Sequence, residues 1–335
     1  MFSCQPLRPH SRFVKQPFSL LALAFTLILA PSPFAEASDS IPVVVTIPVL
    51  RDWVERIGGP HVHVTTLIKG LESEHSYSPR PSDLVAVRKA RLLVEVGVGL
   101  EIWVSGLVRS ANNPSLLLVT TAKGIPLLPD RASPSSTPSS DQPPTAAPTE
   151  TSDHDHHESG SNPHVWLDPD NAVTMIRHIT DALSQVDSSH AAEFRRNQAV
   201  YLQELDRART DLLDQVRKLP DRRLVVHHPA WPYFAKRFGL EIVGEIQTQP
   251  GSEPSARQIQ SLVTLIRTNH IRVIVSEPQL NQKLPALLAR ETGARVAILT
   301  PLPGALPGTD SYLDMLRYNV LQLLRAFDQP ARSAP

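Results

Sequence analysis

The sequence predicts an α/β protein of two lobes, each a parallel sheet with covering helices, joined by one long rigid helix. Short β-branched runs alternate with amphipathic segments both before and after the middle of the chain, the signature of strand–helix–strand units. Between the two alternating sets stands one amphipathic pattern longer than any other in the chain. A tract rich in Pro, Ser and Thr interrupts the first set, which resumes at Asn162.

In chain order, residues 1–37 read as a secretory signal peptide. Arg8, Arg12 and Lys15 precede an apolar run, Phe18 to Ala30, that is short for a membrane span, and Ala35-Glu36-Ala37 offers a cleavage site. An uncleaved anchor is the alternative. Cys4, the single cysteine, lies before that run and would leave with it, so a metal site in the mature chain must use His, Asp and Glu. Periplasmic location is the expectation. Lys+Arg and Asp+Glu both number 33, which gives no bulk charge to draw nucleic acid.

The N-terminal lobe is expected over 38–128. Its strands are Val43 to Ile47, Val62 to Ile68, Leu92 to Val96 and Leu116 to Thr120. Its helices are Leu50 to Ile57, about Ser82 to Ala90 with Ser82 as cap, and Glu101 to Ala111. Residues 129–161 read as a disordered Pro/Ser/His-rich insertion ending in a cluster that contains His154, His156 and His157. Residues 162–187 complete the lobe with a turn and a helix from about Asn171 to Val186, with Asp168-Pro169 as a helix start.

The linking helix falls in 188–220, from Ser189 to Leu219. Tyr201, Leu205, Ala208, Leu212, Val216 and Leu219 form one stripe, and polar Gln198 interrupts its extension to Phe194. At 1.5 Å per residue it would be roughly 45 Å long. The C-terminal lobe, 221–330, repeats the first pattern. Its strands are Arg223 to Val226, Glu241 to Ile246, Val273 to Ser276 and Arg295 to Leu299. Its helices are Pro232 to Phe238, Ser255 to Asn269, Gln282 to Thr292 and Ser311 to Phe327.

Ligands of open parallel sheets bind at the carboxyl ends of strands. His75 follows the second strand of the first lobe, His228 lies two residues past the first strand of the second lobe, and Pro163 presents His164 from a stiff turn at the seam. These three are the candidate ligands of a transition-metal ion in the interlobe cleft. Strand alternation sends His227 and His228 to different sides, leaving His227 to a second shell or a structural role. Glu277, after the third strand, either orients an imidazole or caps a helix.

Glu74-His75-x-Tyr77-x-x-Arg80-Pro81-Ser82-Asp83, Asn162 to Pro169, and His228-Pro229-Ala230-Trp231-x-Tyr233-Phe234-Ala235 resemble three motifs of the zinc- and manganese-specific solute-binding proteins of ABC importers. Glu277-Pro278-Gln279 and Glu291-Thr292-Gly293 look similar too, and the resemblance runs in order through nearly the whole mature chain. It implies two lobes on a rigid helix that move little on binding, a metal on His75, His164 and His228, and a membrane permease as partner of a monomeric receptor that is not an enzyme. The chain departs from the family at Thr300, where an acidic fourth ligand is common. Glu74 is the expected replacement, with water second, and Thr300 falls to the second shell. Three imidazoles favour Zn2+ over manganese as the cargo. Release is expected as the imidazoles protonate near pH 6.5.

The histidine-rich tract reads as an auxiliary low-affinity zinc collector on His154, His156 and His157. Two rival classes remain: a secreted zinc-dependent hydrolase, because three His and an open position also hold catalytic zinc, and a metal-binding surface adhesin. Against the hydrolase stand the missing His-Glu-x-x-His and nucleophile elbow.

Overall fold

A computed structural model describes residues 40–72, 74–129, 160–247 and 252–328. The expected signal peptide and the His154–His157 cluster lie outside the described residues, as does most of the expected insertion. The insertion's described ends meet: Pro129 and Ser161 form an antiparallel bridge, and the Asn162 N–H donates to the Leu128 carbonyl at 2.9 Å.

Two four-stranded parallel sheets are present. The first contains β1 (Ile41–Val45), β2 (Val62–Thr66), β3 (Leu92–Glu95) and β4 (Leu117–Thr120), in the spatial order β2-β1-β3-β4. The second contains β5 (Arg223–Val226), β6 (Glu241–Glu245), β7 (Val273–Ser276) and β8 (Arg295–Ile298), in the order β6-β5-β7-β8. The two orders are the same. Each places its topological switch between its first and third strands, where a crevice opens at the carboxyl edge.

Around the first sheet stand α1 (Pro48–Gly58), α2 (Pro81–Lys89), α3 (Val104–Ala111) and α4 (Pro169–Val186); α5 (Ala191–Val216) links the lobes. The second lobe carries α6 (Pro232–Phe238), α7 (Ala256–Thr268), α8 (Lys283–Thr292) and α9 (Tyr312–Asp328).

Strand alternation divides the apolar residues into three sets. Val43, Val45, Leu92 and Val94 face inward and join Leu224, Val226, Val273 and Val275 of the other sheet in one continuous core. Val44 and Leu93 face the opposite way, towards a satellite cluster that holds Val104 and Leu107 of α3. Val225 and Ile274 do the same beside Leu262, Ile266 and Leu288. The shared core contains the α5 stripe of Phe194, Tyr201, Leu205, Ala208, Leu212 and Val216. The helix packs on α1, α4 and α9, so both lobes grip it.

Several expected boundaries move, each for a local reason. Ser82 does not cap α2: Arg80 is the N-cap, Pro81 takes the first helical position, and the Asp83 carboxylate accepts the Arg80 N–H at 2.7 Å. The third helix begins at Val104 rather than Glu101. The Glu101 carboxylate instead bends back to accept Thr46 Oγ1 (2.6 Å) and the Val96 and Gly97 N–H groups (both 2.9 Å). The linking helix is 26 residues, about 39 Å, and not 45 Å. At its start the Asp187 carboxylate gathers the N–H groups of Ser189 and His190 into a turn. Asn197, beside Gln198 in the stripe's gap, donates its amide to the Ile57 carbonyl and so closes the end of α1.

Because both lobes share one core through α5, Leu205→Ala should cost about 2–5 kcal/mol and lower the stability of both lobes together. Urea unfolding followed by tryptophan fluorescence and by far-UV circular dichroism should give one coincident transition. Two separated transitions would contradict a shared core.

Candidate metal centre

His75 stands in the loop after β2, and the rest of its motif staples that loop. The Tyr77 hydroxyl donates to Asp83 at 2.6 Å, the Tyr77 ring meets Trp103 at 5.0 Å, and Arg80 pairs with Glu72. None of these contacts reaches a neighbouring imidazole. Their effect is to hold the loop that carries Glu74 and His75.

His164 precedes a 3-10 turn, Val165–Leu167, with Asp168 capping α4 by accepting the Asp170 N–H at 2.9 Å. The Asn162 carboxamide organises this turn: its oxygen accepts the His164 N–H at 3.1 Å and lies 3.0 Å from His164 Nδ1. Its nitrogen donates to the Pro229 carbonyl at 2.6 Å.

In the second lobe His227 prolongs the β5 ladder by donating its N–H to the Val275 carbonyl at 2.8 Å, with its Nδ1 2.9 Å from Ser276 Oγ. His228 turns to the other side. Its Nδ1 lies 3.4 Å from Glu277 Oε1, and Trp231 and Gln279 each donate to the Glu277 carboxylate at 3.0 Å. Glu277 is fully buried, and its carboxylate is not the cap of α8, whose N-cap is Gln282.

Three imidazoles from distant parts of the chain thus converge. The ring centroids of His75, His164 and His228 are each 5.1 Å from the other two, with interplanar angles of 61°, 74° and 82°. One nitrogen from each lies within 4.8 Å of the others. His75 Nε2 and His164 Nε2 are 3.2 Å apart, close to the roughly 3.3 Å edge of a tetrahedron with zinc–nitrogen bonds of 2.0–2.1 Å. Glu74 is outside that mutually close set, but its Oε1 lies 3.5 Å from His164 Nε2 and is a buried oxygen with no hydrogen-bond partner among the described residues. Thr300 faces its own loop. Its hydroxyl donates to the Leu302 carbonyl at 2.8 Å, and Asn319 takes up both its N–H and its carbonyl.

Burial sets the charge state of two of the rings. It pushes His75 down to about 3, with the neighbouring His164 adding to the fall, and it holds His164 well below the ordinary range, with His228 as the second cause. His75 and His164 are therefore kept neutral, each with a lone pair available to a cation. This corrects the expectation of release near pH 6.5, which rested on solvated imidazoles.

The decisive comparison is a family model, the periplasmic component A of the zinc-uptake complex, which matches residues 43–326. The chain belongs to this ZnuA family. It is 26% identical to the zinc-binding lipoprotein AdcA of Streptococcus pneumoniae, over 92% of this chain and 60% of that longer relative. It is 27% identical to the manganese-binding lipoprotein MntA of Halalkalibacterium halodurans, over 90% of this chain and 95% of the relative. A crystal structure of ZnuA superimposes with a TM-score of 0.71 at 27% identity, over 86% of this chain and 99% of that one. Two parallel sheets, an interlobe cleft and a long connecting helix are thus the family's architecture as well as this chain's.

Sequence reasoning did not single out Asn162 as a partner of the site. The signal was an Asn two residues before a candidate ligand, the spacing at which its oxygen meets the backbone of the second residue on.

A pH dependence follows from the depressed imidazoles. Between about pH 6.5 and 3 the unfolded chain binds protons that folded His75 refuses, so this contribution is complete above 6.5 and lost as pH falls towards 3. Glu101, pushed up to about 7 by burial, acts in the opposite direction, so the test compares wild type with His75→Gln. The metal-free wild type should lose up to about 1.4 kcal/mol per pH unit more than the variant, measured by urea unfolding at pH 6.5, 5.5 and 4.5. Parallel pH profiles would refute a neutral buried His75.

Proposed function

We propose that the chain is an exported zinc receptor: a monomeric solute-binding component that captures Zn2+ on His75, His164 and His228 and delivers it to an ABC-type permease. The observation that carries the reading is the convergence of three imidazoles, His164 and His228 buried and His75 half-buried, at the cleft of a ZnuA-family fold. Glu74 is the fourth ligand in this reading, since a buried carboxylate oxygen with no donor beside a cation site is otherwise a cost. Glu277 stands behind His228, its carboxylate 3.4 Å from Nδ1, where its negative charge favours a ring bound to a cation.

Zinc is favoured over manganese by donor type. Nitrogen-rich, four-coordinate sites suit zinc, whereas manganese prefers more oxygen ligands in six-coordination. The Thr300 hydroxyl, already committed to Leu302, supplies no such oxygen. The names of relatives cover zinc, manganese and iron, so the preference rests on this chain's donors. Export follows from the signal-like segment in 1–37 and the periplasmic description of the family. No helix among the described residues is long and apolar enough to cross a membrane.

Capture requires little reorganisation, because His75 and His164 are already neutral and the rings are fixed by the shared core. Binding neutralises a cleft that carries two buried carboxylates, Glu74 and Glu277. Delivery reverses this when the partner opens the cleft to water.

Competition against a chromophoric chelator should show zinc binding roughly a hundredfold or more tighter than manganese. Equal affinities would defeat the zinc assignment. Zinc at a thousand times Kd should stabilise the wild type by about 4 kcal/mol, and His228→Ala should abolish most of that gain. Deleting residues 130–161 should leave the tight site intact and lower total zinc stoichiometry by calorimetry. An unchanged stoichiometry would remove the collector role of His154, His156 and His157.

A further inference from the structure

We propose that Asn162 is a positioning residue of the metal centre with two separable jobs: it fixes the tautomer of His164 and ties the His164 turn to the segment carrying His228. The proposal rests on the metal-receptor reading above. Asn162 is almost completely buried, at 1% exposure, and every polar group it owns is used. Its N–H donates to Leu128, its carbonyl accepts from the Tyr233 hydroxyl, and its carboxamide serves both ligand segments.

The orientation of that carboxamide is over-determined. A backbone N–H can only donate, so the atom facing the His164 N–H must be Oδ1. A proline carbonyl can only accept, so the atom facing Pro229 must be Nδ2. The same Oδ1 lies 3.0 Å from His164 Nδ1. An oxygen with no proton requires the imidazole nitrogen to donate, so Nδ1 carries the hydrogen and Nε2 carries the lone pair. Nε2 is the nitrogen directed at the cleft, 3.2 Å from His75 Nε2.

The second job concerns distance. Pro229 is the neighbour of His228 in the chain, and the Nδ2 bond to its carbonyl is short, at 2.6 Å. One planar side chain thus spans from the His164 ring to the residue beside His228, and it sets how far apart two imidazoles from opposite sides of the cleft stand.

The test uses the full chain as wild type, Asn162→Ala and Asn162→Asp. In metal-free wild type, long-range proton–nitrogen correlation should show His164 protonated at Nδ1. Asn162→Asp keeps an acceptor for Nδ1 but loses the donor to Pro229. It should retain the tautomer while shifting the d–d bands of bound cobalt(II), a spectroscopic stand-in for zinc. Asn162→Ala loses both and should bind zinc about 10–100-fold more weakly. Should Asn162→Ala fail to fold, the wild-type tautomer and the Asn162→Asp spectrum decide. A wild-type His164 protonated at Nε2, an alanine variant with unchanged affinity, or an aspartate variant with an unchanged cobalt spectrum would overturn the proposal. A wild type that binds neither zinc nor cobalt would instead overturn the receptor reading and leave the tautomer result standing.

Discussion

The seating of the Asn162–Asp168 turn on the C-terminal lobe is the constraint on which the rest of the structure depends. The turn follows the first sheet in sequence, yet its contacts run to the second. Trp166 donates its indole N–H to the Pro301 carbonyl at 2.8 Å, and the Tyr312 hydroxyl donates to the Trp166 carbonyl at 2.7 Å. Arg237 of α6 grips the nearly buried Asp168 with both arms, at 2.6 and 3.1 Å, and reaches Asp170 as well. A two-pronged guanidinium–carboxylate pair fixes direction as well as distance. His164 and His228 thereby belong to one rigid assembly, and the His75 loop is brought to them by the shared core.

That rigidity permits a site that is costly to build. Three imidazoles are crowded together, and burial depresses the proton affinity of His75 and His164 instead of leaving them to protonate and repel each other. A mobile cleft would relieve the cost by opening and hydrating the rings. Here the inner faces of both sheets, α1, α4, α5 and α9 form one apolar body, so the rings stay where the fold puts them. Stability spent at the cleft is recovered in the core, as expected where local chemistry and local stability conflict.

The sequence displayed the sheets clearly because each buried strand is a run of β-branched or leucine residues between turn signals, and β5 and β7 fall where they were read. Helix starts were less legible. Ser82 looked like a cap, but Pro81 and Asp83 supply the entry to α2, and a propensity rule does not distinguish neighbouring candidates. Glu101 looked like a first helical residue, whereas its carboxylate is drawn to three donors at the ends of β1 and β3. His75 and His228 are visible as residues after strand ends, and His164 as the residue that Pro163 presents from a turn. The depressed imidazoles were not visible at all, because burial is a property of the whole fold. Nor was the part played by Asn162, which depends on Pro229 coming near it across 67 positions of chain.

Charge balance constrains the same cleft. Three neutral imidazoles bring no charge to a divalent cation, and an uncompensated dication in a buried cleft would be strongly disfavoured. Two buried carboxylates stand beside the rings: Glu74 3.5 Å from His164 and Glu277 3.4 Å from His228. They come from opposite lobes. Trp231 and Gln279 hold Glu277 in place, whereas Glu74 Oε1 has no donor among the described residues. The pair therefore divides its work. Glu277 compensates from behind an imidazole, and Glu74 presents an oxygen that only a proton or a metal can satisfy. With Thr300 turned into its own loop, Glu74 is the carboxylate that the proposed ion would meet beside the imidazole nitrogens.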